Sequence, residues 1–144
     1  MAMHVSAFEK TIEKSNAWIK ELMQDLQWDD PQRGYRALRV VLHALRDHLP
    51  LGETAQLGAQ LPMLLRGLYY EGWRPADRLA KERHEADFLL RVAEHFDQDS
   101  ELETVGDLSR MVSAVFRVLS RHVSRGEIAD IVHLLPRELR EYWA

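Results

Sequence analysis

Residues 52–66, GETAQLGAQLPMLLR, return at residues 126–140 as GEIADIVHLLPRELR, and this repetition decides the predicted fold. The two segments align without a gap at an offset of 74 residues (126 − 52), and 7 of the 15 aligned positions are identical. The identical residues are, in chain order, Gly, Glu, Ala, Leu, Pro, Leu and Arg. Because self-similarity at a fixed offset is typical of repeated structural units, the chain is predicted to contain one folding unit twice.

The same offset also pairs apolar residues that lie outside these two segments. The pairs are Leu38 with Val112, Val41 with Val115, Leu42 with Phe116, Leu45 with Leu119, and Leu49 with Val123. Their spacing of three and four residues is typical of the buried face of an amphipathic helix. The positions between them mostly differ, as expected when only the core of a duplicated unit keeps its constraint.

The pattern predicts an all-α protein, because no stretch alternates with a period of two and no Asn-Gly or Asp-Gly turn occurs. Each unit is predicted to have two longer helices followed by two short ones. We expect a single domain over residues 1–144, with repeat one at 8–73, a linker at 74–81 and repeat two at 82–143. A unit of this size is marginal alone, so the two are expected to pack as one compact bundle with pseudo-two-fold symmetry.

Several residues predict where helices begin and which side they bury. Asp30, which precedes a proline, is a predicted N-cap, and Ser124 with Glu127 predicts a capping box. Pro62 and Pro136 cannot continue a helix but can start one, so each is expected to open a short helix. The predicted buried stripe of the first helix consists of Phe8, Ile12, Ile19, Leu22, Met23 and Leu26.

Composition and charge narrow the range of functions. The chain is 46% hydrophobic and 29% charged, with a net charge of −4 and no cysteine. Disulfides and thiolate zinc sites are therefore excluded, and nothing attracts the protein generally to phosphate backbones or anionic membranes. The first residues do not resemble a signal peptide and no apolar run is long enough to span a membrane, so we expect a cytoplasmic protein.

Three segments resemble a known family: residues 38–73, residues 88–96 (FLLRVAEHF) and residues 126–143 (GEIADIVHLLPRELREYW). They are similar to the bacterial domain-of-unknown-function family 2267, and the most specific part is QLPMLLRGLYYEGW at residues 60–73. The resemblance covers nearly the whole chain from Phe8 onward. It implies a duplicated helical domain, and it implies no activity, cofactor or catalytic residue.

The motifs that usually carry chemistry are missing from the sequence. The seven histidines include no pair spaced three or four residues apart, the spacing that a helical metal site needs. Gly-x-Ser-x-Gly and glycine-rich phosphate loops are also absent. We therefore predict no catalytic residue, metal ligand or cofactor, although acid–base catalysis stays open. His48 and His122 are expected to interact with the negative ends of their helices.

A basic stripe on the second helix raises the question of nucleic-acid binding. The stripe consists of Arg33, Arg36, Arg39 and Arg46. The second copy has Arg110, Ser113 and Ser120 where the first has Arg36, Arg39 and Arg46, and the net charge is negative. We therefore do not expect a nucleic-acid partner.

The two copies differ most at the last short helix. Met63, Leu64 and Gly67 of the first copy correspond to Arg137, Glu138 and Glu141 of the second, whereas Leu65 and Leu139 match and are expected in the core. Tyrosine and tryptophan, which are enriched at interfaces, follow in the first copy. The predicted interaction surface consists of Met63, Leu64, Gly67, Tyr69, Tyr70 and Trp73. This face is either covered within the protein or available to another chain, which could be a second copy.

Two functions follow from these observations. The first is a non-enzymatic helical protein-interaction module, which could self-associate as a homodimer. The alternative is a small-molecule-binding protein or enzyme with a pocket between the repeats, where the aromatic residues would meet Arg66 and His84. The sequence does not identify a partner or a reaction.

Overall fold

The structure is a computed structural model that describes residues 3–75, 85–96 and 104–143. These residues form eight α-helices and no strand, which confirms the all-α fold class. The helices are α1 Ser6–Leu26, α2 Pro31–His48, α3 Leu51–Ala59, α4 Met63–Tyr70, α5 Glu85–Glu94, α6 Val105–His122, α7 Arg125–Leu134 and α8 Arg137–Arg140, and a 3₁₀ helix, Glu141–Trp143, follows α8. Most of the predicted linker 74–81 lies outside the described ranges.

The core is built around α2 and α6, which have 18 residues each and contact one another. Helix α1 packs against both of them, and so does α5. Every apolar pair that the sequence matched on α2 and α6 or at their C-caps is buried: Leu38, Val41, Leu42, Leu45, Leu49, Val112, Val115, Phe116, Leu119 and Val123. The longest described helices, α1, α2 and α6, are too polar for a bilayer-spanning segment, and the other described helices are too short.

The helix starts follow the predicted capping chemistry in most places. The Oδ1 atom of Asp30 accepts a hydrogen bond from the backbone N–H of Gln32 at 3.0 Å, so Asp30 caps α2 as predicted. Pro62 and Pro136 stand at the N-caps of α4 and α8 with nearly equal backbone angles, φ −54° and ψ 149° or 148°. The prolines therefore turn the chain in the same way in both halves.

Arg66 and Arg140, the last identical pair of the repeated segments, have the same structural role. Arg66 donates hydrogen bonds to the carbonyl oxygens of Gly58 and Leu61, at 2.9 and 3.0 Å. Arg140 donates to the carbonyl oxygens of His133 and Leu135, at 2.8 and 3.0 Å. Because the last carbonyls of a helix have no partner within it, each arginine closes the end of the preceding helix, α3 or α7.

The predicted buried stripe of α1 is wrong at its first two residues, because Phe8 and Ile12 are exposed. The buried side consists of Thr11, Ser15, Trp18, Leu22 and Leu26. Thr11 lies inside because its Oγ1 atom accepts a hydrogen bond from the backbone N–H of Leu64 at 2.8 Å, at the start of α4. Pro62, the N-cap of α4, has no side-chain acceptor, so a residue of α1 supplies the missing cap.

The two matched histidines behave differently. The Nδ1 atom of His48 is 2.8 Å from the carbonyl oxygen of Ala44, in the last turn of α2. His122 instead stacks on Trp18 of α1, with ring centroids 4.7 Å apart, and its Nε2 atom is 2.6 Å from Glu21. Only His48 thus bonds to its own helix end as predicted, whereas His122 joins α6 to α1.

The buried leucines of the short helices allow a direct test of the register. Leu65→Ala and Leu139→Ala should each lower the free energy of unfolding by about 2–5 kcal/mol, because both side chains are buried and their removal leaves a cavity. Leu64→Ala, at the exposed neighbouring position, should cost less than about 0.5 kcal/mol. Urea denaturation of the three variants measures this, and equal losses at Leu64 and Leu65 would contradict the register.

Gly58 allows α3 and α4 to approach closely, and this predicts opposite effects for two glycine substitutions. A Cβ atom on Gly58 would lie 2.7 Å from Cζ of Tyr70, whereas a Cβ on Gly67 would meet nothing within 4 Å. Gly67→Ala should therefore stabilise the protein by about 0.5–1 kcal/mol through helix propensity. Gly58→Ala should destabilise it, by about 1 kcal/mol or more, because the Tyr70 ring must move.

The same Gly58→Ala substitution in a Tyr70→Ala background should become stabilising, since the obstructing ring is gone. Thermal unfolding of the single and double variants measures this double-mutant cycle. Stabilisation by Gly58→Ala in the wild-type background would show that the Tyr70 ring is not held over Gly58.

Candidate functional site

Three residues of the predicted interaction surface lie on the outside of α4. Met63 is 54% exposed, Leu64 is 51% exposed, and Gly67 is also exposed. They occupy the outward side of the helix, opposite the buried residues Leu65 and Tyr69. This part of the predicted surface therefore faces solvent in the single chain.

Tyr69 does not belong to this surface, because it is fully buried. Its hydroxyl donates a hydrogen bond to the carbonyl oxygen of Thr54 at 2.9 Å, and burial raises the pKa of Tyr69 above its usual range. The physical reason is its position four residues after Leu65, which places both side chains on the inner face of α4.

Tyr70 and Trp73 are half-buried and pack against the protein itself. The Tyr70 ring lies 5.0 Å from the Tyr69 ring and 5.3 Å from the Trp73 ring, measured between centroids. The Tyr70 ring also covers Gly58 of α3. These two aromatic side chains therefore border the exposed face of α4 and do not project from it.

Two exposed apolar residues that the sequence placed in the core lie next to this face. Phe8 is 57% exposed and Ile12 is 48% exposed, both on α1. The hydrogen bond between Thr11 and Leu64 places their turn of α1 beside the start of α4. We name the four side chains of Phe8, Ile12, Met63 and Leu64 the α1–α4 apolar surface.

A groove of about 470 Å³ opens next to the α1–α4 apolar surface. Its apolar lining comes from Ile19 of α1, Tyr35 of α2, and Leu64 and Leu68 of α4, and Gly67 also lines it. Because Gly67 has no side chain and Tyr35 is partly exposed, the groove stays open to solvent. Its size and lining fit an apolar side chain of another molecule.

Of the residues named for a pocket between the repeats, the structure describes all but His84. Tyr69 is buried, Arg66 is engaged with carbonyl oxygens at the end of α3, and His84 lies outside the described ranges. A surface depression of about 380 Å³ lies between α1, the link from α3 to α4 and His122 of α6. Two of its polar residues bond elsewhere, His122 to Glu21 and Gln60 to the N-cap of α7.

A second depression, of about 400 Å³, lies between α2 and His95 and is lined by polar side chains that include Arg36, Arg39 and Glu71. The small-molecule alternative therefore remains a candidate function.

The basic residues of α2 are largely committed to other contacts. Arg46 is buried and donates to the carbonyl oxygens of Tyr69 and Glu71, at 2.8 and 2.9 Å. Arg39 forms an ion pair with the Glu71 carboxylate, and the Arg33 guanidinium lies 3.6 Å from the centre of the Trp28 ring. Three of the four arginines of the predicted stripe therefore support the end of α4 or the α1–α2 turn, and the guanidinium of the fourth, Arg36, lies 5.7 Å from the centre of the Phe96 ring.

A second feature, which the sequence analysis did not single out, lies where α3 packs against α7. Glu53 and Glu127 occupy the same position of the two repeated segments, and their side chains are only 9% and 6% exposed. Carboxylate oxygens of Glu53, Glu127 and Asp130 all lie within 4.8 Å of one another. We name these three residues the α3–α7 carboxylate cluster.

The predicted capping box at α7 is only half formed, and its missing half explains why Glu127 faces Glu53. The hydroxyl of Ser124 accepts a hydrogen bond from the backbone N–H of Glu127 at 3.2 Å, as predicted. The backbone N–H of Ser124, which Glu127 would bind in a box, donates instead to the Gln60 side chain at 2.8 Å. The Glu127 carboxylate is therefore released toward α3.

The electrostatics of the cluster disfavour two full negative charges. Burial, a hydrogen bond and charge repulsion from Glu53, and the charge of Asp130 together raise the pKa of Glu127 to about 8 from its ordinary value of 4.5. None of the ion pairs between described residues involves a member of the cluster. In the absence of a bound cation, Glu127 therefore keeps its proton at neutral pH and can donate it to Glu53.

This proton predicts a pH dependence with a definite sign. Between pH 4.5 and about pH 8 the folded protein holds a proton that the unfolded chain has released, so the free energy of unfolding falls as the pH rises. Glu127→Gln should remove this slope and be the more stable protein near pH 8, because its amide can donate to Glu53 at every pH. The difference should reach about 1 kcal/mol or more.

Denaturant unfolding of both proteins in chelator at several pH values measures the effect. Subtracting the free energy of unfolding of Glu127→Gln from that of the wild type at each pH cancels the contribution of the histidines, which both proteins contain. Parallel pH profiles would contradict the protonation of Glu127.

Comparison with known proteins agrees with the sequence resemblance. No curated protein matches the chain. Residues 15–142 match the family described as "Uncharacterized conserved protein (DUF2267)". The match begins in α1, ends in the 3₁₀ helix, and so includes both repeated segments and the α3–α7 carboxylate cluster. The chain therefore belongs to the DUF2267 family.

Proposed function

We propose that this protein is a protein-interaction module that associates with a second copy of itself through the α1–α4 apolar surface. The observation that carries the proposal is that four large apolar side chains from two helices, Phe8, Ile12, Met63 and Leu64, are each about half exposed. Contiguous apolar patches on soluble proteins mark interaction sites far more often than isolated apolar residues do.

The two helices that carry the patch are joined by a hydrogen bond beside it. The Leu64 backbone N–H donates to Thr11, which lies in the same turn of α1 as Phe8 and Ile12. The groove beside Leu64 and Leu68 extends the same face and offers a place for an apolar anchor side chain. An anchor in a pocket, surrounded by flatter contacts, is the usual arrangement at the centre of a binding interface.

The charges beside the patch support a second copy as the occupant. Glu9, Lys10, Glu13 and Lys14 follow the apolar residues of α1, and all four are exposed. With two charges of each sign, this segment has no net charge and can pair with its own copy when two α1 helices meet in opposite directions. A partner with many charges of one sign would instead bind best to a segment whose net charge has the opposite sign.

We also propose that the patch arose in one copy of a tandem duplication with pseudo-two-fold symmetry, with repeats at 8–73 and 82–143. Helix α2 begins at 31 and ends at 48, and α6 begins at 105 and ends at 122, an offset of 74 at both ends. The N-cap prolines and the arginines at the helix ends support the same relation. An experimental structure whose halves do not superpose would refute it.

The second repeat supplies an internal contrast to the α1–α4 apolar surface. Arg137, Glu138 and Glu141 stand at the positions of Met63, Leu64 and Gly67, and all three are exposed. The fold thus tolerates charged residues at the outer face of this short helix. Fold stability alone therefore does not require apolar residues on α4, which supports a binding role for them.

Replacing the patch by charges should separate association from folding. Met63→Arg combined with Leu64→Glu should raise the dimer dissociation constant at least about tenfold, because the interface would have to bury two charges. The melting temperature should stay within about 2 °C of the monomer's value, since both side chains already contact water. Sedimentation equilibrium and thermal unfolding give the two readouts.

Leu134→Glu is the matched control, because Leu134 is an exposed apolar residue on α7, outside the patch. This variant should associate as the wild type does. A wild type that stays monomeric at concentrations on the order of 100 µM would overturn self-association. If such a monomer instead bound a different protein through the same four residues, the face would be a docking site for that protein.

A further inference from the structure

The α3–α7 carboxylate cluster contains buried acid oxygens without a partner. The Oε1 atom of Glu53 and the Oε1 atom of Glu127 are both inaccessible to solvent and accept no hydrogen bond. Both side chains are more than nine-tenths buried. Buried polar atoms in native proteins nearly always have a partner, so two such atoms side by side point to a ligand that satisfies them.

The chemistry of these atoms selects the kind of ligand. Carboxylate oxygens are acceptors only, so the ligand must donate protons or carry positive charge. The third carboxylate, of Asp130, lies one helical turn after Glu127 on α7 and is exposed. The cluster thus has two inner oxygen ligands, an outer one that borders solvent, and a combined charge of up to −3.

We propose that Glu53, Glu127 and Asp130 bind one divalent cation of the kind that prefers oxygen ligands, such as Ca²⁺, Mn²⁺ or Mg²⁺. Three carboxylates from two helices give a ligand set of the type these ions use, with water completing the coordination on the side of Asp130. The spread of at most 4.8 Å between ligand atoms is compatible with oxygens on opposite sides of one ion, at about 2.0–2.6 Å each.

Neighbouring contacts hold the two inner ligands in place. Gln60, the C-cap of α3, bonds reciprocally with Ser124, the N-cap of α7, at 2.8 and 3.1 Å, and so ties the two helices together. Glu53 and Glu127 lie in the first turns of α3 and α7, where the backbone is regular. Because α3 and α7 belong to different halves of the chain, the cation would crosslink the two halves.

The first test measures stabilisation by each metal alone. Chelator-treated protein is titrated with CaCl₂, MnCl₂ or MgCl₂, with NaCl at equal ionic strength as reference, and its melting temperature is recorded. At least one metal should raise the melting temperature saturably, by roughly 5 °C at a hundredfold excess over the dissociation constant.

Variants assign the effect to the cluster. Glu53→Gln and Glu127→Gln should each abolish the saturable shift, and Asp130→Asn should weaken the metal affinity at least about tenfold. Glu138→Gln, which removes an exposed carboxylate outside the cluster, should leave the shift unchanged. The Met63→Arg and Leu64→Glu variant should bind the metal normally, so that failure of self-association and failure of the cation site are distinguishable.

A paramagnetic probe locates the ion. Substoichiometric Mn²⁺ should broaden the backbone amide signals of residues around Glu53 and Glu127 first in an NMR spectrum of the whole chain. The proposal fails if none of the three metals gives a shift beyond the NaCl reference, if the shift persists in Glu127→Gln, or if broadening begins elsewhere. A pH-dependent stability without any metal response would assign the cluster to the proton of Glu127 alone.

Discussion

The contact between the apolar faces of α2 and α6 is the constraint on which the rest of the structure depends. Each helix is buried on several sides at once, with Leu42, Leu45, Phe116 and Leu119 inaccessible to solvent. Such helices need covering layers, and α1 and α5 provide them by packing against both central helices. The outer helices therefore join the two halves of the chain, and this favours one shared core over two separate ones.

The repeated segments complete this core at its ends, and their identical residues have identifiable roles. The leucines are buried, the prolines turn the chain into the last helix, and the arginines bind the open carbonyls of the helix before. The identical glutamates have no such stabilising role, because Glu53 and Glu127 face each other at the α3–α7 contact. Among the ion pairs between described residues, none joins either glutamate to a basic side chain. Placing two acids together opposes folding unless a proton or a cation joins them.

The two proposed binding features, the α1–α4 apolar surface and the α3–α7 carboxylate cluster, lie in different parts of the same fold. The α1–α4 apolar surface belongs to the first half only, because the corresponding face of α8 carries Arg137 and Glu138. The α3–α7 carboxylate cluster draws on both halves and lies between them. The proposed duplication accounts for both features, since one copy can diverge toward binding while a residue kept in both copies meets its counterpart near the symmetry axis.

The sequence by itself determined the helical class, the buried faces of α2 and α6, and the buried leucines of the short helices, because spacing along one helix fixes which side chains share a face. It also indicated Met63, Leu64 and Gly67 as an outer face, through the contrast with the second copy. Only the tertiary structure decided the remaining features. Phe8 and Ile12 turned outward because Thr11 caps α4, and Glu127 turned to Glu53 because Gln60 had taken the N–H of Ser124. Each of these outcomes depends on a hydrogen bond between residues distant in the chain or in separate helices, and periodicity within one helix carries no information about such a bond.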